Sequence, residues 1–206
     1  PFEGLQLGEG STGTVHSALH VDLERPVAIK LLAPGATTTE RRLGEFRREA
    51  RTIAQLNHDN IVRVHDFGVT DEGQAYLAME LLEGESLLAT LRRGAMDWQS
   101  AFLLGIQACR ALAAAHQSGV MHGDLKPANL FVTREGVLKL LDFGIPTLVR
   151  SPSDENSAEA FRLFGTPEYM APEQTRGGAP SELSDLYALG TVLYELLTTK
   201  RPHEAD

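Results

Sequence analysis

His122-Gly123-Asp124-Leu125-Lys126-Pro127-Ala128-Asn129 is followed, one short hairpin later, by Asp142-Phe143-Gly144. The two segments place two carboxylates, a lysine and an amide on neighbouring loops. Such a set is suited to holding a metal-bound triphosphate in line with a hydroxyl nucleophile. A solvated turn with capping Asp and Asn is the plainer reading of either segment alone. The order and spacing of the whole set argue against it.

Upstream runs Gly8-Glu9-Gly10-Ser11-Thr12-Gly13-Thr14-Val15. Its glycine spacing suits a hairpin whose backbone must approach phosphates without side-chain obstruction. Taken alone it is equally a flexible turn. A dinucleotide-binding fingerprint needs a helix directly after the loop, whereas Val15-His16-Ser17-Ala18-Leu19 continues as strand. Val27-Ala28-Ile29-Lys30 then puts a lysine into an apolar strand, where a charge is costly unless paired. A second Asp-Phe-Gly, Asp66-Phe67-Gly68, precedes the catalytic segment and is read as a strand end and turn. Asp142 is the better metal ligand because it lies beside Asp124 and Asn129.

Working outward, the first part of the chain is strand-rich. Segments 5–7, 15–19, 27–32, 61–67 and 75–82 carry β-branched or alternating apolar residues between Gly, Asp and Pro. One helix is expected over 40–56, with Leu43, Phe46, Ala50, Ile53 and Leu56 on one face. After Gly84 the pattern turns helical. A short helix is expected over 87–91, closed by Gly94. Asp97 should cap a long one ending near 119, with Phe102, Leu103, Ile106, Cys109 and Leu112 on its apolar side. Strands are expected at 130–132 and 137–141, a loop over 151–159, and a last helix over 184–197.

Composition narrows the function classes. A net charge of -9 lacks the basic face of a nucleic-acid binder, so no nucleic-acid partner is expected. The lone cysteine, Cys109, excludes an intramolecular disulfide and is read as a small buried core residue. No signal peptide and no apolar stretch long enough to cross a bilayer is legible, so a soluble segment without membrane contact is expected.

In this combination the motifs resemble the eukaryotic-type protein kinase family, most closely its bacterial Ser/Thr members. The resemblance covers nearly the whole chain. It implies an α+β, bilobal fold: a small β-rich N-lobe with one helix over 1–82, and a partial, mainly helical C-lobe over 83–206. It implies ATP and Mg2+ as cofactors. Gly8, Gly10 and Gly13 would form the phosphate lid. Lys30 would contact the α- and β-phosphates and pair with Glu49, Glu45 being the rival one helical turn away. Leu7, Val15, Ala28 and Phe131 would sandwich the adenine. Met79 would be the gatekeeper, while the Glu80 carbonyl and the Leu82 backbone would meet the adenine edge. Asp124 would accept or orient the substrate hydroxyl proton, and Lys126 would steady the γ-phosphate. Asn129 and Asp142 would hold magnesium. Gly165-Thr166-Pro167-Glu168-Tyr169-Met170-Ala171-Pro172-Glu173 resembles the substrate-docking loop of Ser/Thr kinases, with Thr166 bonded to Asp124 and Lys126. Asp185 resembles the aspartate that tethers the backbone around His122. The implied partners are proteins with Ser/Thr acceptors, with autophosphorylation and a kinase-domain dimer in prospect. The implied location is cytoplasmic, including as the cytoplasmic domain of a membrane-anchored receptor kinase.

Three departures from the family pattern stand out. Gly123 replaces the arginine that normally pairs with a phosphate on the activation loop, so Thr147, Ser151, Ser153 and Ser157 are not expected to switch activity by that route. Pro146 replaces the usual alanine. The chain stops soon after the helix bearing Asp185, so the later C-lobe helices, one of which carries the arginine partner of Glu173, are expected to be missing, leaving an uncovered apolar face on 184–197. Two rival readings are a small-molecule phosphotransferase of the aminoglycoside kinase type, which also uses His-Gly-Asp, and a pseudokinase scaffold. Lys126-Pro127 and the 165–173 block oppose the first; the filled catalytic positions oppose the second.

Overall fold

The computed structural model describes residues 4–10, 13–21, 24–33, 40–143 and 166–202. Strands β1 (Gln6–Gly10), β2 (Gly13–His20), β3 (Arg25–Leu32), β4 (Val64–Val69) and β5 (Ala75–Glu80) form one antiparallel sheet in the order β1-β2-β3-β5-β4. The period of two along a strand sorts its side chains between the faces. On β3 it sends Ala28 and Leu32 into the main core and Val27 and Ile29 to the outer face with Ala78. Lys30 falls on the inner side with Ala28. That alternation alone aims the lysine under the glycine-rich hairpin.

Helix α1 (Glu40–Ala54) covers the inner face. Phe46, Ala50 and Ile53, one face at helical spacing, are buried, and Leu56 just beyond the helix is buried with them. The Phe46 ring meets Phe67 edge-on, 6.2 Å between centroids. The Asp66-Phe67-Gly68 segment therefore lies inside β4, not at a strand end and turn. Phe67 anchors α1 and Asp66 accepts from the Tyr76 hydroxyl at 3.4 Å.

The second half carries a small sheet of β6 (Gly84–Ser86), β7 (Leu130–Thr133) and β8 (Leu138–Leu140). With it come the helices α2 (Leu87–Leu91), α3 (Trp98–Gln117), the single turn α4 (Pro172–Thr175) and α5 (Glu182–Thr198). Ser86 caps α2 and Asp97 caps α3 through its side chain. Strand β6, the turn Pro127–Asn129 and α4 were not legible in the sequence.

The expected apolar side of α3 needs correcting. The buried stripe is Ala101, Gly105, Ala108, Leu112 and Ala115. Phe102 and Leu103 are 63% and 61% exposed, and Cys109 is exposed instead of buried. Close approach decides this: a Cβ on Gly105 would come within 3.2 Å of Leu193 Cδ1 on α5. Small residues let the two helices pack, and the larger side chains turn outward. On α5, Leu183, Leu186, Tyr194 and Leu197 are exposed.

A polar clasp joins the two halves. Asn60, in the loop between α1 and β4, donates through Nδ2 to Gln107 Oε1 at 2.9 Å and to the Leu138 carbonyl at 2.8 Å. Gln107 Oε1 also accepts from Leu138 N–H at 2.9 Å. The backbone adds Val62 N–H to Leu140 O at 2.9 Å and Leu140 N–H to Asn60 O at 2.8 Å. Asn60→Ala strands the buried Leu138 carbonyl, while Gln107 Oε1 keeps the Leu138 N–H, and should cost about 1–3 kcal/mol of stability, read from urea unfolding. A variant indistinguishable from wild type would show that the clasp is dispensable.

Candidate active site

The two halves meet at a cavity of about 600 Å3. Its roof is Leu7, Gly8, Gly10, Gly13 and Val15, its inner wall Ala28, Lys30 and Met79, its edge Glu80 and Leu82, and its floor Phe131. Asp124, Lys126, Asn129 and Asp142 line the other end. The structure thus brings together every expected nucleotide-contact and metal position. Val62, Leu81 and Leu141 also line it and went unnoticed in the sequence, where they read as ordinary strand residues.

The glycines differ in purpose. A Cβ on Gly8 or Gly10 would meet open space, whereas one on Gly13, at φ +138°, would sit 1.9 Å from the Leu31 carbonyl oxygen. Gly13 is therefore required by the hairpin's own geometry. Gly8 and Gly10 keep the roof bare over the cavity. The loop tip, residues 11 and 12, lies outside the described residues.

Lys30 is only 2% exposed, and its Nζ lies 2.6 Å from Asp142 Oδ2. The expected Lys30–Glu49 pair is not formed. Glu49 is half-buried without an ion-pair partner among the described residues, and burial holds its pKa above the ordinary carboxylate value, with Glu45 adding to it. The buried ammonium takes the nearer carboxylate. Asp142 reaches it from a left-handed backbone, φ 62°.

The catalytic segment is held from behind. Asp185, 1% exposed in the first turn of α5, accepts from His122 N–H at 2.8 Å and Gly123 N–H at 2.9 Å. His116 Nε2 lies 2.9 Å from the same carboxylate. His116 escaped the sequence reading; the only signal was a polar residue closing the alanine stripe of α3. The His122 ring packs against Phe143, 4.7 Å between centroids and tilted by 52°. Burial pushes its pKa below the usual imidazole range against the pull of Asp185. Its Nδ1 accepts the Asp124 N–H at 3.3 Å.

This backing presents the Asp124 carboxylate to the cavity. Lys126 Nζ lies 2.6 Å from Asp124 Oδ2 and 3.0 Å from Thr166 Oγ1. Thr166 Oγ1 is 3.4 Å from Asp124 Oδ1. Asn129 Nδ2 donates to the Asp124 carbonyl at 2.8 Å, leaving its amide oxygen for a cation. Among the described residues no three His, Cys, Asp or Glu side chains converge on a metal site. Asn129 and Asp142 therefore make a sparse set of hard oxygen donors. Such a set suits a magnesium ion that keeps waters and takes phosphate oxygens.

A family model described as "Protein kinase domain" matches residues 3–206. The chain belongs to the protein kinase family. This kinase domain is 38% identical over 209 residues to serine/threonine-protein kinase pkn3 of Myxococcus xanthus, covering 97% of the domain and 38% of that protein. It is 40% identical over 205 residues to serine/threonine-protein kinase PknA of Mycobacterium tuberculosis, covering 97% of the domain and 47% of that protein. The chain spans less than half the length of these relatives. Among solved structures, the Mycobacterium tuberculosis PknI kinase domain superposes with a TM-score of 0.77 at 27% identity, over 98% of this chain and 77% of that one. Rad53 in complex with AMP-PNP gives 0.77 at 26% identity, over 100% of this chain and 50% of that one.

Within the kinase domain, the 166–175 block is tied to α5. Tyr169 donates to Glu195 Oε2 at 2.6 Å, and burial together with that carboxylate raises its pKa far above the ordinary phenol value. Glu173 is exposed and makes no ion pair among the described residues. Pro146, Thr147, Ser151, Ser153, Ser157 and Gly165 lie outside the described residues.

Proposed function

We propose that the domain is a Ser/Thr protein kinase, transferring the γ-phosphate of Mg-ATP to protein serine and threonine hydroxyls on the cytoplasmic side, where ATP is supplied. One observation carries the reading: Asp124, Lys126 and Thr166 contact one another beside a cavity that is roofed by glycines and lined by the Lys30–Asp142 pair. The names of the relatives, Ser/Thr kinases at 38% and 40% identity, support the acceptor class over a small-molecule phosphotransferase.

Each residue's part follows from its placement. Leu7, Val15, Ala28 and Phe131 offer apolar faces to a base, with Met79, Glu80 and Leu82 along its edge. Lys30 exchanges its bond to Asp142 for the α- and β-phosphates, and the freed Asp142 carboxylate and the Asn129 amide oxygen would hold magnesium. Magnesium, when bound, neutralises phosphate charge and fixes the triphosphate's orientation. Asp124 takes the proton of the incoming hydroxyl, whose oxygen bonds to phosphorus as the bond to the β-phosphate bridge breaks. Lys126 offsets the charge on the transferring phosphate, and Thr166 keeps Lys126 and Asp124 in register. Glu49 joins only when α1 shifts enough to meet Lys30.

Gly123 has no side chain to receive a phosphate, and its backbone is left-handed, φ 80°. Joint replacement of Thr147, Ser151, Ser153 and Ser157 by alanine should therefore leave turnover within about threefold of wild type, since no charge-assisted contact to position 123 is lost. Loss of activity in that variant would assign these positions a switching role. The test of the function itself is phosphoamino-acid analysis of the product of transfer from ATP.

A further inference from the structure

Among the described residues three cations line the catalytic cavity: Lys30, Lys126 and Arg92. The two lysines are held by carboxylates, Asp142 and Asp124. Arg92 is exposed and makes no ion pair among the described residues, the nearby Glu85 being taken by Arg93. An exposed arginine is ordinarily just hydrated. This one is set apart by its position. It caps the C-terminus of α2, its backbone N–H bonding to Leu88 O, and α2 packs against the Pro127–Asn129 turn of the catalytic segment. Arg92 thus stands at the cavity's rim on the α2 side, with Ser86 and Leu88. Lys30, Asn129 and Asp142 hold the phosphate end.

We propose that Arg92 is a specificity-determining residue that reads an anionic side chain, carboxylate or phosphate, flanking the acceptor hydroxyl of the protein substrate. The inference rests on the kinase reading above. A guanidinium presents a planar fork of donors that fits either anion bidentately. A charge at a rim discriminates between partners more than it adds affinity. A substrate segment entering toward Asp124 on the α2 side passes the one cavity cation that, among the described residues, no carboxylate neutralises.

The experiment uses the full-length protein and a peptide set with one serine acceptor. Aspartate, phosphoserine, alanine or lysine is placed in turn at each flanking position, and kcat/KM is measured for wild type, Arg92→Ala and Arg92→Glu. At one or two positions wild type should prefer the anion over lysine by about fivefold, the upper range for an exposed pair. Arg92→Ala should erase that preference and Arg92→Glu should invert it, while the KM for ATP does not move. Phosphoserine well above aspartate identifies a phosphate as the anion read; equal values identify a carboxylate. The same charge profile in wild type and Arg92→Glu overturns the inference and leaves the kinase reading intact. A raised KM for ATP with an unchanged profile also overturns it, assigning Arg92 to the nucleotide. No transfer by wild type to any peptide overturns the kinase reading and this inference with it.

Discussion

Asp124→Asn is expected to lower turnover by about 10²–10⁴-fold, the contribution of a positioned general base, while nucleotide affinity changes little. The side chains are isosteric, so the fold around position 124 should survive. Asn129 Nδ2 keeps its 2.8 Å bond to the backbone carbonyl of residue 124, and only its long 3.5 Å contact with Asp124 Oδ2 is altered. What changes is chemistry: an amide cannot take a proton from the hydroxyl, and it weakens the 2.6 Å contact with Lys126. Single-turnover transfer beside a nucleotide titration separates the two effects. Turnover within tenfold of wild type would remove Asp124 from the role of base.

The second large effect is at Lys30. Lys30→Met keeps much of the side-chain volume but deletes the ammonium 2.6 Å from Asp142. Loss of one preorganised donor to transferring phosphate oxygens typically costs about 10²–10³-fold in turnover, and that is the expected loss. A stability penalty should accompany it, because the partly buried Asp142 carboxylate loses its partner. Glu49→Gln makes the informative comparison. With no Lys30–Glu49 contact in this structure, Glu49 matters only if α1 moves inward during turnover. Equal losses in the two variants would show that the working state forms the Lys30–Glu49 pair; a mild Glu49 effect would show that Asp142 alone exchanges with phosphate. Unchanged turnover in Lys30→Met would mean that the phosphate clamp is misassigned.

The catalytic end of the site was legible because its chemistry constrains residue types at fixed spacings. Asp124, Lys126, Asn129 and Asp142 have few substitutes, and the strand period of β3 delivers Lys30 to the same cavity. Packing is less constrained by type. On α3 the helical period alone gives two candidate faces. The large residues Phe102 and Leu103 suggested the wrong one, whereas the contact with Leu193 selects the stripe around Gly105. The partner of Lys30 was unreadable for a related reason: two carboxylates, Glu49 and Asp142, satisfy the same rule about buried charge, and only tertiary geometry chooses between them. His116 and Asn60 act through bonds to groups 69 and 78 residues away along the chain, which no local pattern announces. Strand β6, three residues long, exists because β7 is beside it.

The most direct measurement is transfer of labelled γ-phosphate from ATP, with magnesium, to the protein itself and to a generic basic protein, followed by phosphoamino-acid analysis beside Asp124→Asn. The kinase reading predicts label on serine and threonine, lost in the mutant. Label on tyrosine alone, transfer undiminished in Asp124→Asn, or nucleotide bound without any transfer would contradict it.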